Sequence, residues 1–139
     1  MELNDKTYNE IVTLSEQGDE LVDCKELLEA IEKYNNALEL LPNPKYIWEA
    51  STWIYTAIGD TYFLNNQFQE ALDFLFESLK CPDGLENPFV LLRIGECFYE
   101  LKGFDKAKEY LLQAYMYDDG MDIFEGEDVK YFDVIKYVI

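Results

Sequence analysis

Gly59-Asp60-Thr61-Tyr62, followed by Phe68 and Ala71, returns downstream as Gly95-Glu96-Cys97-Phe98, followed by Phe104 and Ala107. In both copies the Gly precedes the Ala by twelve residues, and the copies are offset by 36. An aromatic stands three residues after each Gly, one helical turn on along the same face. A third, weaker copy lies upstream as Gly18-Asp19-Glu20-Leu21, with Leu27 and Ala30. The residues beyond agree: Ala30-x-x-x-Tyr34-x-x-Ala37 is matched by Ala71-x-x-x-Leu75-x-x-Ser78 and by Ala107-x-x-x-Leu111-x-x-Ala114. Small residues at fixed points let two antiparallel helices approach closely, while the larger ones fill the space between turns. Pro42 and Pro82 end the first two units and Pro88 opens the third. Tandem self-similarity of this kind predicts an all-α stack of three helical hairpins.

Working outward, helices are expected near 5–23, 25–40, 44–65, 68–80, 88–101 and 104–117. A loop containing Gly120 and Gly126 follows, then a helix near 127–138. Such stacks need an element to cover the last apolar face, and Tyr131, Phe132, Ile135 and Val138 have the helical spacing to do so. From the first unit to the second the offset is 41 residues. The surplus falls in Pro44-Lys45-Tyr46-Ile47-Trp48-Glu49-Ala50-Ser51, which reads as two added helical turns before the second unit.

The Gly, aromatic, Ala, Leu and Pro positions over about residues 11–119 resemble the tetratricopeptide repeat family. The sequence departs from the family pattern at Leu21, in an aromatic slot, and at Leu14, Tyr55 and Leu91, where a large aromatic usually opens each unit. The resemblance implies one domain over 1–139, a right-handed solenoid of three tetratricopeptide-like hairpins at about 11–44, 52–85 and 88–119, with a C-terminal capping helix at about 127–138. It also implies that the first helix of each unit lines a concave, ligand-facing surface. The slots that usually face the ligand hold Asp19, Asp60 and Glu96 directly after each Gly. Thr56 lies one turn before the Gly of its unit, Trp53 and Phe89 lie a further turn back, and Phe63 and Tyr99 lie one turn after. Carboxylates beside aromatics suit Lys and Arg side chains, which pair with the acid and lay their stems or charge on the ring. These eight residues are the expected partner site. The alternative is that the rings pack between hairpins and the acids form a solvated stripe. Reversing the charges of Asp60 and Glu96 is expected to weaken partner binding and to spare the fold. Family members that clamp the carboxylate tails of chaperones use Lys, Asn and Arg in these slots, and that pattern is missing.

The charge points the same way. Of 139 residues 29 are acidic and 11 basic, a net charge of −18, and Arg93 is the only arginine. So negative a surface repels nucleic-acid phosphates and anionic lipid headgroups and speeds encounter with basic proteins. No apolar run approaches the roughly 20 residues of a membrane helix, and the acidic start lacks a secretory signal, so a cytoplasmic protein is expected.

The chemistry available is narrow. With no histidine, imidazole bases, Ser-His or Cys-His pairs and His-ligated zinc are all excluded. Cys24, Cys81 and Cys97 are too scattered for a C-x-x-C site, and Cys97 falls on a buried helix face. Six acids between Asp118 and Asp128 lack the offsets from Gly120 and Gly126 that a calcium loop needs. Glu127 and Asp128 instead suit a helix N-terminus. Carboxylate pairs such as Glu96 and Glu100 occur only at ordinary helical spacing, which leaves a carboxylate hydrolase as the weakest class. No cofactor, no metal and no enzymatic activity are expected.

The run from Asp122 to Phe132, Asp-Ile-Phe-Glu-Gly-Glu-Asp-Val-Lys-Tyr-Phe, resembles small bacterial tetratricopeptide proteins that accompany polymorphic or contact-dependent toxins as immunity proteins. The resemblance implies a protein that binds and neutralises a basic toxin domain. The competing class is a chaperone or adaptor for a secreted or assembling partner, as in type III secretion.

Overall fold

The computed structural model describes residues 2–119 and 122–139; Gly120, expected in the loop after the third unit, lies outside them. Helices α1 (Asp5–Asp23) and α2 (Leu27–Glu39) form the first hairpin, α3 (Glu49–Leu64) and α4 (Phe68–Leu79) the second, and α5 (Pro88–Glu100) and α6 (Phe104–Tyr117) the third. A short α7 (Val129–Asp133) follows. Each helix packs on its hairpin partner, α2 packs on α3 and α4 on α5, and α3 also touches α5 directly. Among the described residues no helix is long and apolar enough to cross a membrane.

The repeat seen in the sequence is a repeat of contacts. Ala30, Ala71 and Ala107 are all fully buried. A Cβ placed on Gly18 would meet the Tyr34 ring at 2.5 Å, one on Gly59 the Leu75 Cγ at 2.6 Å, and one on Gly95 the Leu111 Cγ at 2.7 Å. The same repeat positions thus face each other in all three hairpins. The turns repeat too: Lys25, Asn66 and Lys102 have φ of 63°, 61° and 67°, each seven residues after its unit's Gly. The next amide then bonds back to close the first helix, Glu26 N to Leu21 O at 2.8 Å, Gln67 N to Tyr62 O at 2.9 Å and Gly103 N to Phe98 O at 2.8 Å. Two of the three left-handed positions are lysines, a strain the hairpin tolerates because the helices on either side are fixed by their Gly contacts.

Two expected helices are shorter than their patterns. The stretch before the second unit does not add two turns to α3. It forms a 3-10 turn, Lys45–Ile47, then an extended Trp48, and α3 begins at Glu49. The Trp48 indole is buried with Leu41, Ala50 and Ile54, and its Nε1 donates to the Pro42 carbonyl at 2.8 Å. A buried indole N–H needs such an acceptor, and a continuous helix could not bring the chain back to it. The C-terminal helix is likewise confined to Val129–Asp133, because Asp128 caps it by accepting from Lys130 N, and the chain beyond continues in three-residue turns through Val138. The segment still caps the stack: Tyr131 and Ile135 are buried against Leu91, Leu92, Leu111 and Ala114, with Phe132 partly buried. Val138 is 49% exposed and takes no part in this.

Helix propensity alone favours Ala over Gly by about 1 kcal/mol. The Leu111 contact reverses that sign at position 95, where a Cβ would also lie 3.0 Å from the Leu111 backbone nitrogen. Gly95→Ala is expected to destabilise the chain by about 1–3 kcal/mol in denaturant unfolding, the cost of overpacking a helix contact.

Candidate functional site

Where α3 and α5 touch, the structure places Arg93 in the middle of the predicted partner face. Its Nε donates to Asp60 Oδ1 at 2.6 Å, and its Nη1 donates to Glu96 Oε1 and to Glu127 Oε1, each at 2.6 Å. The guanidinium carbon lies 4.6 Å from the centroid of the Phe63 ring and 4.9 Å from that of Phe89. The acid-and-aromatic set expected to hold a partner's cation therefore holds the chain's own.

This corrects two expectations. Glu96 is not an exposed groove carboxylate; it is fully buried, with Oε2 lacking any hydrogen-bond partner. Its charge reversal would set a second cation against Arg93 without solvent, so the fold would not survive as expected. Burial, and then the neighbouring Glu127 carboxylate, push the Glu96 pKa up to about 9, with Arg93 opposing them. That shift favours the neutral carboxyl at pH 7, in which state one guanidinium is balanced by Asp60 and Glu127. Burial, followed by the field of Glu96, raises the Cys97 thiol to about 12, which makes it an inert core side chain.

A second cluster closes the end of the face. Glu100 accepts from Lys130 Nζ at 2.6 Å and from the Tyr131 hydroxyl at 2.7 Å. Tyr99 meets the Tyr131 ring edge-on at 5.4 Å, and Lys130 Nζ lies 5.5 Å from the Tyr99 centroid. Tyr99, expected to meet a partner, is covered by the chain's own C-terminal segment. The acids of that segment have structural partners as well: Asp118 accepts from Ile123 N, Asp128 caps α7, and Glu127 holds Arg93.

What stays open is a depression of about 420 Å³ between α3, the loop after α4 and the start of α5. Glu49, Trp53, Thr56, Asp60, Asp83 and Phe89 line it, and no basic residue does. Four of the eight predicted residues, Trp53, Thr56, Asp60 and Phe89, thus come together. Phe63 and Glu96 surround Arg93, and Tyr99 lies under the C-terminal segment. Asp19 stands apart on α1, accepting from the Tyr34 hydroxyl at 2.5 Å. Trp53 is 39% exposed, and Arg93 takes only Oδ1 of Asp60, whose side chain keeps 26% exposure.

Sequence reading missed Glu49, Asp83, Arg93 and Glu127. Arg93 carried a legible signal, as the one arginine in a chain of 29 acids. Asp83 did not, because it reaches the depression through a loop in which its own φ is 61°.

No protein-family model and no curated protein matches this chain. Solved structures match its shape. The C-terminal TPR-containing domain of an FK506-binding protein from Plasmodium falciparum superposes with a TM-score of 0.75 at 20% identity, over 99% of this chain and 94% of that one. The Yersinia enterocolitica type III secretion chaperone SycD, in complex with a peptide of the translocator YopD, gives 0.76 at 11% identity, over 96% and 95%. The first TPR of Spaghetti (RPAP3), bound to an HSP90 peptide, gives 0.73 at 16% identity, over 92% and 94%. The fold is therefore all-α and of tetratricopeptide type.

The neutral state of Glu96 has a measurable consequence. Its folded pKa lies above its unfolded one, so its contribution to stability is complete below the ordinary glutamate range and is lost progressively as pH rises toward about 9. Glu96→Gln removes this titration and keeps an acceptor for Arg93. Thermal unfolding from about pH 5 to 9 is expected to show a smaller loss of Tm for the variant than for the natural chain. Parallel curves would mean that Glu96 is ionised throughout.

Proposed function

We propose that this chain is a protein-binding module, and specifically an immunity protein whose open acidic depression receives a basic surface of a toxin domain. One observation carries the reading: Glu49, Asp60 and Asp83 line a depression together with Trp53 and Phe89, with no basic residue in its lining, in a chain of net charge −18. Such a surface attracts a basic partner from a distance and offers aromatic anchors at the point of contact. The toxin assignment draws on the resemblance of the Asp122–Phe132 run. Glu127, Lys130 and Tyr131 of that run dock the C-terminal segment onto Arg93 and Glu100, so in this chain those residues serve architecture.

The second reading is a chaperone or adaptor. It is favoured by the structural likeness to SycD, which was solved with a peptide of the translocator YopD. The HSP90 peptide of the RPAP3 structure is a poorer guide, because this face presents carboxylates where a carboxylate-tailed ligand would need cations.

Co-expression with the product of the adjacent upstream gene separates the two. Immunity predicts rescue from growth arrest, together with an association rate that falls steeply with added salt. A chaperone predicts a more soluble partner with its toxicity intact. Glu49→Lys with Asp83→Lys is expected to weaken the complex tenfold or more, about 1.4 kcal/mol. Glu32→Lys with Glu109→Lys, on the exposed faces of α2 and α6, is expected to leave it unchanged. The opposite ranking would move the partner to the outer helices.

A further inference from the structure

The Arg93 contacts show how this face holds a cation, and the same parts continue beyond it. Phe89 and Asp60, which Arg93 touches, are also walls of the open depression. On the far side stand Trp53, Glu49 and Asp83, and among the described residues neither of these two acids pairs with a lysine or arginine. We infer that the depression is a binding cell for a single arginine side chain of the partner, a second copy of the arrangement around Arg93. The guanidinium lies against Trp53 and Phe89 and forks toward Asp83 and Glu49, with Asp60 shared between the two cations. This rests on the reading that the face meets a basic partner, and it names the group recognised.

One feature selects arginine, and two others accommodate it. A flat, weakly hydrated guanidinium stacks on rings and presents its donors in one plane, whereas an ammonium is a strongly hydrated point charge. The carboxylates reach the cell from separate elements, Glu49 from the first turn of α3 and Asp83 from the loop after α4. The depression, about 420 Å³, has room for an arginine side chain.

The chain's two tryptophans supply the readout. The Trp48 indole N–H is bonded to the Pro42 carbonyl, while Trp53 lines the cell. Both tryptophans and Glu49 also border a neighbouring depression beside Glu2 and Tyr8, so the Thr56, Asp83 and Phe89 amides, which line the cell alone, locate the peptide in proton–nitrogen NMR spectra. The probes are acetyl-Gly-Arg-Gly-amide, its lysine analogue and its citrulline analogue, which keeps the shape of arginine and removes the charge. The arginine peptide is expected to move the Trp53 signal and the Thr56, Asp83 and Phe89 amides saturably, leaving Trp48 in place. Citrulline is expected to bind about tenfold more weakly, as is arginine to the Glu49→Gln, Asp83→Asn double variant, with lysine between them. Equal binding of citrulline, equal binding of lysine, shifts centred elsewhere, or a Trp53 signal that stays fixed up to the solubility of the peptide would each overturn the inference. A chain that rescues cells from its partner while Trp53 ignores arginine would overturn this inference alone. Failure of rescue with Trp53 responding as expected would overturn the toxin reading alone.

Discussion

Arg93 is the constraint on which the inner face of this structure and its C-terminal segment depend. Its side chain is only 11% exposed, yet it joins three parts of the molecule at once: Asp60 on α3, Glu96 on its own helix and Glu127 in the C-terminal segment. Three carboxylates around one guanidinium would be overcharged in so dry a place. Burial and the nearby Glu127 favour the protonated form of Glu96, which would bring the count to two against one. A guanidinium suits the task because its fork reaches acceptors in several directions while its faces rest on Phe63 and Phe89. Burying such a group brings little net stability compared with an apolar replacement, but it fixes which surfaces meet.

That arrangement divides the inner face. The third unit's end is partly covered by the chain itself, through Glu127 on Arg93 and through Lys130 and Tyr131 on Glu100. The second unit's side remains open, with Trp53 exposed and, among the described residues, no lysine or arginine paired with Glu49 or Asp83. On the proposed reading, the α3 side is the part of the face left for a partner. On that reading, the negative charge of the whole chain would set how fast a basic partner arrives, and the rings and carboxylates of the open cleft what it finds there.

Much of the fold was legible because the repeat is carried by steric necessity. Gly18, Gly59 and Gly95 must be small where Tyr34, Leu75 and Leu111 press on them, and the fully buried Ala30, Ala71 and Ala107 mark the same contact. The break before α3 was hidden, since nothing in a run of helix-compatible residues announces that the Trp48 indole will seek the Pro42 carbonyl. The site was legible by position and misread by role. Slot arithmetic placed Asp60, Phe63, Phe89 and Glu96 together, but it could not tell a partner's cation from an internal one. Only contacts across some thirty residues of sequence, from Arg93 to Asp60 and to Glu127, decide that.

Amide hydrogen exchange on the intact chain, compared with Arg93→Met, tests the central claim most directly. If Arg93 ties the C-terminal segment to the repeats, amides from 123 to 135 will lose protection in the variant. Those of α1 to α4 will keep theirs, because their Gly and Ala contacts are untouched. Uniform loss across all helices, or a C-terminal segment as protected as before, would contradict the account.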